Sequence, residues 1–94
     1  MWEFEWDEAK RLSNMKKHGV DFTDAVEVFN DPRLVFEEDL SEHYDEVRMM
    51  ATGVALGKLV TVVFTDRGDD LLRLISARPA TMREKNIYGT TQNH

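Results

Sequence analysis

The sequence predicts an α+β fold, with two N-terminal helices and one C-terminal helix packed on a small antiparallel sheet of about four strands. Two observations support this prediction. Apolar residues recur at helical spacing up to about residue 30, and from residue 34 onward they alternate with period two, as in strands. The turns in the second half are also short, and short turns join antiparallel neighbours.

The first segment is predicted to be a short strand followed by a helix. Residues 2–6 alternate apolar and acidic side chains, which is the pattern of a half-buried strand. Asp7 is a suitable N-cap for a helix that runs to about Lys17, and Gly19 stands where a left-handed terminator belongs. Three apolar residues share one stripe of this helix: Ala9, Leu12 and Met15.

A second helix is predicted to follow at once. Asp21 is its N-cap, and the sequence Asn30-Asp31-Pro32 ends it because proline cannot continue a helix. Four apolar residues supply its buried face: Phe22, Ala25, Val26 and Phe29.

Strands and a final helix fill the rest of the chain. Strands are predicted at 34–36, 47–54, 59–65 and 71–77, and the last three should form a meander. Pro79 is expected to stop the strand ladder. Thr81 and Glu84 form a capping-box pattern for a helix through about Tyr88, which Gly89 closes, and residues 89–94 are expected to be a flexible tail.

The composition fits a single domain over residues 1–94 and narrows the possible chemistry. The absence of cysteine excludes a disulfide framework, a thiolate metal site and a cysteine nucleophile. The N-terminus lacks the basic start of a signal peptide, and the longest apolar run, near Leu59–Phe64, is too short to span a bilayer. We therefore expect a cytoplasmic protein without membrane association, metal or cofactor.

Charge is distributed unevenly along this chain, whose formal net charge is −6. Residues 1–66 hold seven basic against fifteen acidic side chains, whereas residues 67–88 hold five basic against three acidic ones. An acidic protein that gathers arginines at one strand–helix junction is expected to present them to an anion. Phosphate is the natural candidate, because guanidinium groups match its oxygens. The net charge argues against loose binding to nucleic acid, although it permits a local basic cleft or a basic partner.

Three arginines lie around the last predicted strand. Arg67 is in the preceding turn, and Arg73, within the strand, is equally well interpreted as an ordinary cross-strand charge. In a regular strand Arg73 shares a face with Ile75 and Ala77, and Arg78 lies on the opposite face. Arg78 directly precedes a helix N-terminus, which is a natural anion site, so a functional role is favoured for it.

The end of the first helix carries the second candidate group, Lys16-Lys17-His18. These side chains can neutralise a phosphate or transfer a proton, since histidine titrates near neutral pH. The simpler interpretation of the motif on its own is that the three cations satisfy the helix C-terminus.

The last helix supplies Arg83 and Tyr88, which are five residues apart and do not share a face. One of the two side chains can therefore pack against the protein while the other contacts a substrate. A tyrosine near a chain end more often contacts a partner than takes part in catalysis. His43 in the acidic loop is a weak metal candidate, because no second histidine stands at ligand spacing. The sequence contains no phosphate-binding glycine loop, serine elbow or zinc motif.

The chain contains three blocks of residues at fixed spacings. They are Phe4-Glu5-Trp6-Asp7 with Lys10, then Asn14 with Lys17-His18-Gly19-Val20, Phe22 and Ala25, then Arg73 to Arg78 with Ala80 and Glu84. They fit the patterns F-x-W-D-x-x-K, N-x-x-K-H-G-V-x-F-x-x-A and R-x-I-S-A-R-x-A-x-x-x-E. With these blocks in this order the chain resembles the BrnT family of type II toxins, and the resemblance covers nearly its whole length.

The resemblance implies a RelE-like fold and an endoribonuclease that cuts RNA and thereby inhibits translation. It also implies a BrnA-like antitoxin, whose DNA-binding part is a ribbon–helix–helix dimer. The complex would then be a heterotetramer that reaches operator DNA only through the antitoxin.

Within that implied activity, the residues permit a metal-free mechanism. A general base takes a proton from a ribose 2′-OH, which attacks the adjacent phosphate, and arginines stabilise the phosphorane. Arg78 is the first choice for this stabilisation with Arg67 and Arg83 in support, and Lys17 or His18 supplies the base or acid. RNA binding is assigned to four further residues: Lys16, Arg73, Arg83 and Tyr88. The alternative is a catalytically weak binding module that acts mainly as a co-repressor with the antitoxin.

Overall fold

The computed structural model describes residues 1–40 and 46–91. These residues contain three α-helices, namely α1 at Glu8–His18, α2 at Phe22–Ala25 and α3 at Met82–Thr91. A 3-10 helix at Val26–Asn30 continues directly from α2. The strands are β1 at Glu3–Glu5, β2 at Val35–Glu38, β3 at Met49–Ala55, β4 at Lys58–Asp66 and β5 at Leu71–Pro79. No helix in these residues is long and apolar enough to cross a membrane.

The α+β class is confirmed, but the sheet differs from the predicted one. It has five strands rather than about four, in the order β1-β5-β4-β3-β2, and it is mixed. Strand β1 pairs in parallel with β5, from Glu3 opposite Leu71 to Glu5 opposite Arg73, whereas the other neighbours are antiparallel. Short turns reveal which strands are antiparallel neighbours, but nothing local indicates that β1 pairs with a strand near the other end of the chain.

The main core lies between one face of the sheet and the α2/3-10 segment. Phe22, Ala25 and Phe29 are buried as predicted, while Val26 is only half-buried and Val28 is fully buried. The reason is that the predicted second helix tightens into a 3-10 helix after α2. A 3-10 helix repeats every three residues, which brings Val28 onto the buried side.

A glycine lets this segment approach the sheet closely. A Cβ atom on Gly53 of β3 would lie 3.1 Å from the backbone oxygen of Val28 and 3.3 Å from the Asp31 side chain. Any larger residue at position 53 would therefore push the 3-10 helix away from β3.

The apolar stripe predicted for α1 does not face the core. Leu12 and Met15 are 55% and 44% exposed, and Ala9 is exposed as well. They are exposed because α1 packs along β5 and turns Asn14 toward the backbone of Ala77. Asn14 is the buried residue of this helix, at 6% exposure. Backbone groups at a strand edge need polar partners, and this requirement decides which side of α1 faces inward.

A β-bulge interrupts the alternation in β5. Val63 of β4 pairs with Ser76, whereas the next residue, Phe64, pairs with Leu74, so that Ile75 is an extra residue in β5.

The bulge corrects the predicted faces of the arginines. Leu72 before the bulge and Ala77 after it are both in the core cluster. The prediction that Arg73 and Ala77 share a face, with Arg78 opposite, is therefore wrong. Arg73 and Arg78 both lie on the face of β5 turned away from the core, because the extra residue reverses the alternation.

The helix ends agree with the sequence at three places and differ at one. Asp7 and Asp21 are N-caps, and Gly19 terminates α1 with a φ of 71°. Helix α3 passes through Gly89 to Thr91, because Gly89 does not adopt the left-handed conformation of a terminator. The predicted end of the helix at Tyr88 is therefore wrong. The expected tail is helical over 89–91, and residues 92–94 lie outside the described part of the chain.

Candidate functional site

Asn14 attaches α1 to β5 in the way that a neighbouring strand would. Its Nδ2 donates to the backbone oxygens of Ala77, at 2.7 Å, and Val20, at 2.9 Å. Its Oδ1 accepts from the Ala77 backbone N–H at 3.1 Å. One amide side chain thus satisfies both backbone groups of Ala77, beyond the point where β1 ends.

This attachment creates a groove between α1 and β5, here called the basic groove, with a volume of about 300 Å³. Five α1 residues at spacings of three and four line one side: Lys10, Ser13, Asn14, Lys17 and His18. Ile75, Ser76 and Arg48 line the rest. Its described lining contains no carboxylate, so the groove is a local cationic site on an acidic chain. Arg48 at its rim donates from Nε to Glu46 at 3.0 Å.

Arg78 lies two residues after Ser76 on the same face of β5, but it is not among the residues that line the basic groove. Its Nη1 and Nη2 donate to the two carboxylate oxygens of Glu84 at 2.7 and 2.9 Å. The Arg78 side chain remains 26% exposed, whereas that of Glu84 is 4% exposed. The sequence therefore located Arg78 correctly at a strand end, but its guanidinium group is already bound in an ion pair.

Glu84 holds this ion pair in place from the first turn of α3. It also accepts from the Thr81 backbone N–H at 2.8 Å and from the Thr61 hydroxyl at 3.0 Å. Burial raises the pKa of Glu84, but the hydrogen bonds from Arg78, Thr81 and Thr61 outweigh burial and lower the pKa from 4.5 to about 2. The carboxylate is thus ionised at neutral pH and fixes the direction of the Arg78 side chain.

The other predicted arginines lie in separate ion pairs. Glu5 of β1 accepts from Arg73 at 3.0 Å and lies 3.9 Å from Arg67. Glu37 of β2 accepts from Arg83 at 2.7 Å. The structure therefore places Arg67, Arg73 and Arg83 outside the groove that Lys17 and His18 line.

Tyr88 and Lys16 lie outside the basic groove. The Tyr88 hydroxyl donates to Asp31 at 2.8 Å, and burial together with this carboxylate raises the pKa of Tyr88 above its ordinary value. Lys16 is exposed and is not part of the groove lining. His43 lies outside the described residues, and in the described ranges no three acidic or histidine side chains form a group that could hold a metal ion.

Comparisons with known proteins identify the family. Residues 6–84 match the family model described as "Ribonuclease toxin, BrnT, of type II toxin-antitoxin system". The chain belongs to the BrnT family. Its fold is also similar to the crystal structure of the Brucella abortus ribonuclease toxin BrnT, with a TM-score of 0.64 and 32% identity over 87% of this chain and 100% of that chain. The comparison with curated proteins finds no match.

The match to the BrnT family spans the whole basic groove and Glu84. Six groove residues were not selected from the sequence as site residues: Lys10, Ser13, Asn14, Arg48, Ile75 and Ser76. The signal for the first three was present, because positions 10, 13, 14, 17 and 18 form a polar stripe at helical spacing. Ile75 and Ser76 stand in the third family block, but their place in the groove, like that of Arg48, depends on the packing of α1 on β5.

Proposed function

We propose that this chain is a metal-independent endoribonuclease, which cuts RNA by attack of a ribose 2′-OH on the adjacent phosphate. The observation that supports this proposal is the basic groove, which combines Lys10, Lys17, His18 and Arg48 with the hydroxyl of Ser76. Its shape and charge suit a phosphodiester, and the family is one of ribonuclease toxins.

The groove residues divide into two roles in this mechanism. Lys10 and Arg48 neutralise the RNA phosphate and hold it against β5. His18 and Lys17 transfer the proton from the 2′-OH and the proton to the leaving 5′ oxygen, since both can lie within reach of a phosphate held in the groove. The products are then a 2′,3′-cyclic phosphate and a free 5′-hydroxyl.

Arg78 contributes from the same face of β5 as Ser76. Glu84 takes one N–H from each of its two terminal nitrogens, and a guanidinium group has five. The remaining donors on its exposed side can stabilise the charge of the phosphorane. Arg73 and Arg83 are left as outer contacts to the RNA backbone, whereas the exposed Lys16 lies outside the groove and is given no RNA contact. No role in RNA binding or cleavage is proposed for Arg67 or Tyr88, because Arg67 lies with Arg73 beside Glu5 and Tyr88 binds Asp31.

The chemistry of the groove supports a mechanism without metal. Mg²⁺ and Mn²⁺ prefer oxygen ligands, above all carboxylates. The described lining of the groove offers cationic side chains and two hydroxyls instead. Cleavage is thus expected to depend on proton transfer and charge neutralisation by side chains.

The proposal includes the partner. A type II toxin-antitoxin system implies an antitoxin, and we propose a BrnA-like ribbon–helix–helix protein that dimerises and so forms a heterotetramer with two toxin chains. Operator DNA is bound only through this antitoxin, because a chain of net charge −6 repels the DNA backbone over most of its surface.

An RNA cleavage assay with purified chain tests the activity. Cleavage is expected to survive excess EDTA, and Lys17→Ala and His18→Ala should each lower the rate by about 10²-fold or more. Lys16→Ala is the matched control, because it removes the same charge one residue away and outside the groove. Loss of cleavage on chelation with recovery on added Mg²⁺, or equal effects of Lys16→Ala and Lys17→Ala, would contradict the proposal.

One observation favours a second function, that of a catalytically weak binding module. Arg67, Arg73, Arg78 and Arg83 are each within ion-pair distance of a carboxylate of the chain itself, which weakens their attraction for phosphate. A binding module would yield no RNA products in the same assay, while still strengthening the binding of the antitoxin to operator DNA.

A further inference from the structure

A second groove, here called the acidic groove, lies between the start of α2 and the turn that joins β3 to β4. It has a volume of about 190 Å³, and a cavity of roughly 150 Å³ already accommodates a benzene-sized group. Its apolar lining comes from both sides: Val20, Ala25, Ala55, Leu56 and Val60. It shares no lining residue with the basic groove, so the two are separate sites.

Leu56 at the mouth of this groove is an unfavourable residue for the stability of the fold. It is 66% exposed and has a φ of 50°, in a two-residue turn with Gly57 at 75°. Such turns favour asparagine, aspartate or glycine, because a side chain that branches near the backbone is strained at positive φ. An exposed leucine there adds neither burial nor turn stability, and strained positions of this kind are concentrated at binding sites.

The rim of the acidic groove carries carboxylates along α2 and the 3-10 helix. Asp21 and Asp24 line the groove, and Glu27 accepts from the Leu56 backbone N–H at 3.3 Å. Arg11 neutralises Asp21, whereas Asp24 makes no ion pair within the described ranges. A shallower extension beyond Leu56 adds Glu27 and Asp31 beside Val54, which is also exposed. Lys58 also lines the groove, so the surface is apolar at its centre and carries four carboxylates against one lysine in the lining of the groove and its extension.

We propose that the acidic groove is a docking site for the antitoxin, through a segment that presents an aliphatic side chain flanked by Lys or Arg. The aliphatic side chain enters the cavity beside Leu56, and the flanking cations meet Asp24 and Glu27. The charge complementarity favours this occupant, because a protein that binds operator DNA must carry Lys or Arg side chains to meet the phosphates. The inference rests on the proposed partner and specifies where that partner attaches, away from the groove proposed to bind RNA.

Titration calorimetry tests this inference, with the full chain and the antitoxin encoded in the same operon. Leu56→Asn removes the apolar contact and suits the turn, so the melting temperature of the free chain should stay equal or rise while antitoxin binding weakens by roughly tenfold or more. Asp24→Asn should weaken binding at low salt and lose this effect at high salt. Leu12→Asn, at another exposed leucine on α1, is the control and should bind as the unmodified chain does.

Each contrary outcome has a distinct meaning. If Leu56→Asn binds the antitoxin as tightly as the unmodified chain does, the docking site is wrong. It is also wrong if the free chain self-associates and Leu56→Asn converts it to a monomer, because the occupant of the groove is then a second copy of the chain. RNA cleavage is measured on the same samples and should be unchanged in Leu56→Asn. If the unmodified chain binds the antitoxin through Leu56 but cuts no RNA, the ribonuclease proposal fails and the docking site stands.

Discussion

At the scale of single residues, the buried Glu84 carboxylate couples the stability of the fold to pH. Its pKa is about 2 in the folded chain against 4.5 for an unperturbed glutamate. A carboxylate whose pKa is lowered on folding stabilises the fold above the unfolded pKa, and this contribution is lost as the pH falls through the folded pKa. We therefore expect the free energy of unfolding to fall between about pH 4.5 and pH 2.

Arg78→Ala should weaken the fold as well as the activity. It removes the two guanidinium hydrogen bonds from Glu84 while burial, which raises the pKa, remains. The free energy of unfolding at pH 7 should drop by about 1–3 kcal/mol, and its decline between about pH 4.5 and pH 2 should become smaller, because the pKa of Glu84 in the folded chain moves up toward its unfolded value. Urea unfolding from pH 2 to pH 7 measures both effects, and Glu84→Gln should flatten the decline. If the free energy of unfolding declines in the same way at acidic pH in the unmodified chain and in Arg78→Ala, then Arg78 does not lower the pKa of Glu84.

Asn14 is the second residue with a strong prediction. Asn14→Ala leaves both backbone groups of Ala77 and the Val20 carbonyl without this partner. Because unsatisfied buried groups are expensive, the loss should be about 2–3 kcal/mol, and α1 should loosen from β5. Thermal melting and hydrogen exchange at Ala77 measure this loss. Ser13→Ala, at the exposed neighbouring position, should change neither, and a fully protected Ala77 amide in Asn14→Ala would refute the attachment.

At the scale of elements, local chemistry was predictable from the sequence and long-range pairing was not. The caps at Asp7 and Asp21 and the Thr81–Glu84 capping box depend on residues two or three apart, so their patterns were sufficient. The parallel partner of β1 and the extra residue Ile75 in β5 depend on contacts that no local pattern records. The same applies to the site, since Lys17 and His18 were found in sequence whereas Arg48 and Ser76 reach the groove only through tertiary packing.

The orientation of α1 gives a prediction at this scale. Leu12 lies on its exposed side, so Leu12→Lys should change the free energy of unfolding by less than about 0.5 kcal/mol. A helix packed by the stripe that the sequence predicted would instead lose the burial of a leucine. Chemical denaturation decides between the two, with Val28→Ala in the buried 3-10 segment as the control that should cost at least about 1–2 kcal/mol. A comparable loss in Leu12→Lys would mean that the apolar stripe of α1 is buried after all.

At the scale of the whole molecule, a small basic groove lies on a chain whose net charge is −6. The affinity for single-stranded RNA should therefore depend on the few phosphates that the groove neutralises, and not on a broad positive surface. With roughly three to four phosphate contacts, the plot of log affinity against log salt should have a slope of about −2 to −3. Fluorescence anisotropy measures this slope, with RNA that carries 2′-O-methyl groups so that the 2′ oxygen cannot attack and the RNA binds without being cut.

The same measurement on variants separates the groove from the rest of the surface. Lys17→Gln removes one phosphate contact, so its slope should be shallower by about 0.7, whereas Lys16→Gln outside the groove should leave the slope unchanged. The sign of the surrounding charge supplies a further check. Because the carboxylates of the acidic groove repel RNA through space, Asp24→Asn should raise the RNA affinity slightly at low salt, and this effect should shrink at high salt, where the Debye length is shorter. Equal slopes for Lys16→Gln and Lys17→Gln would mean that the surface as a whole binds the RNA. The few side chains of the basic groove would then not explain how this acidic chain binds RNA.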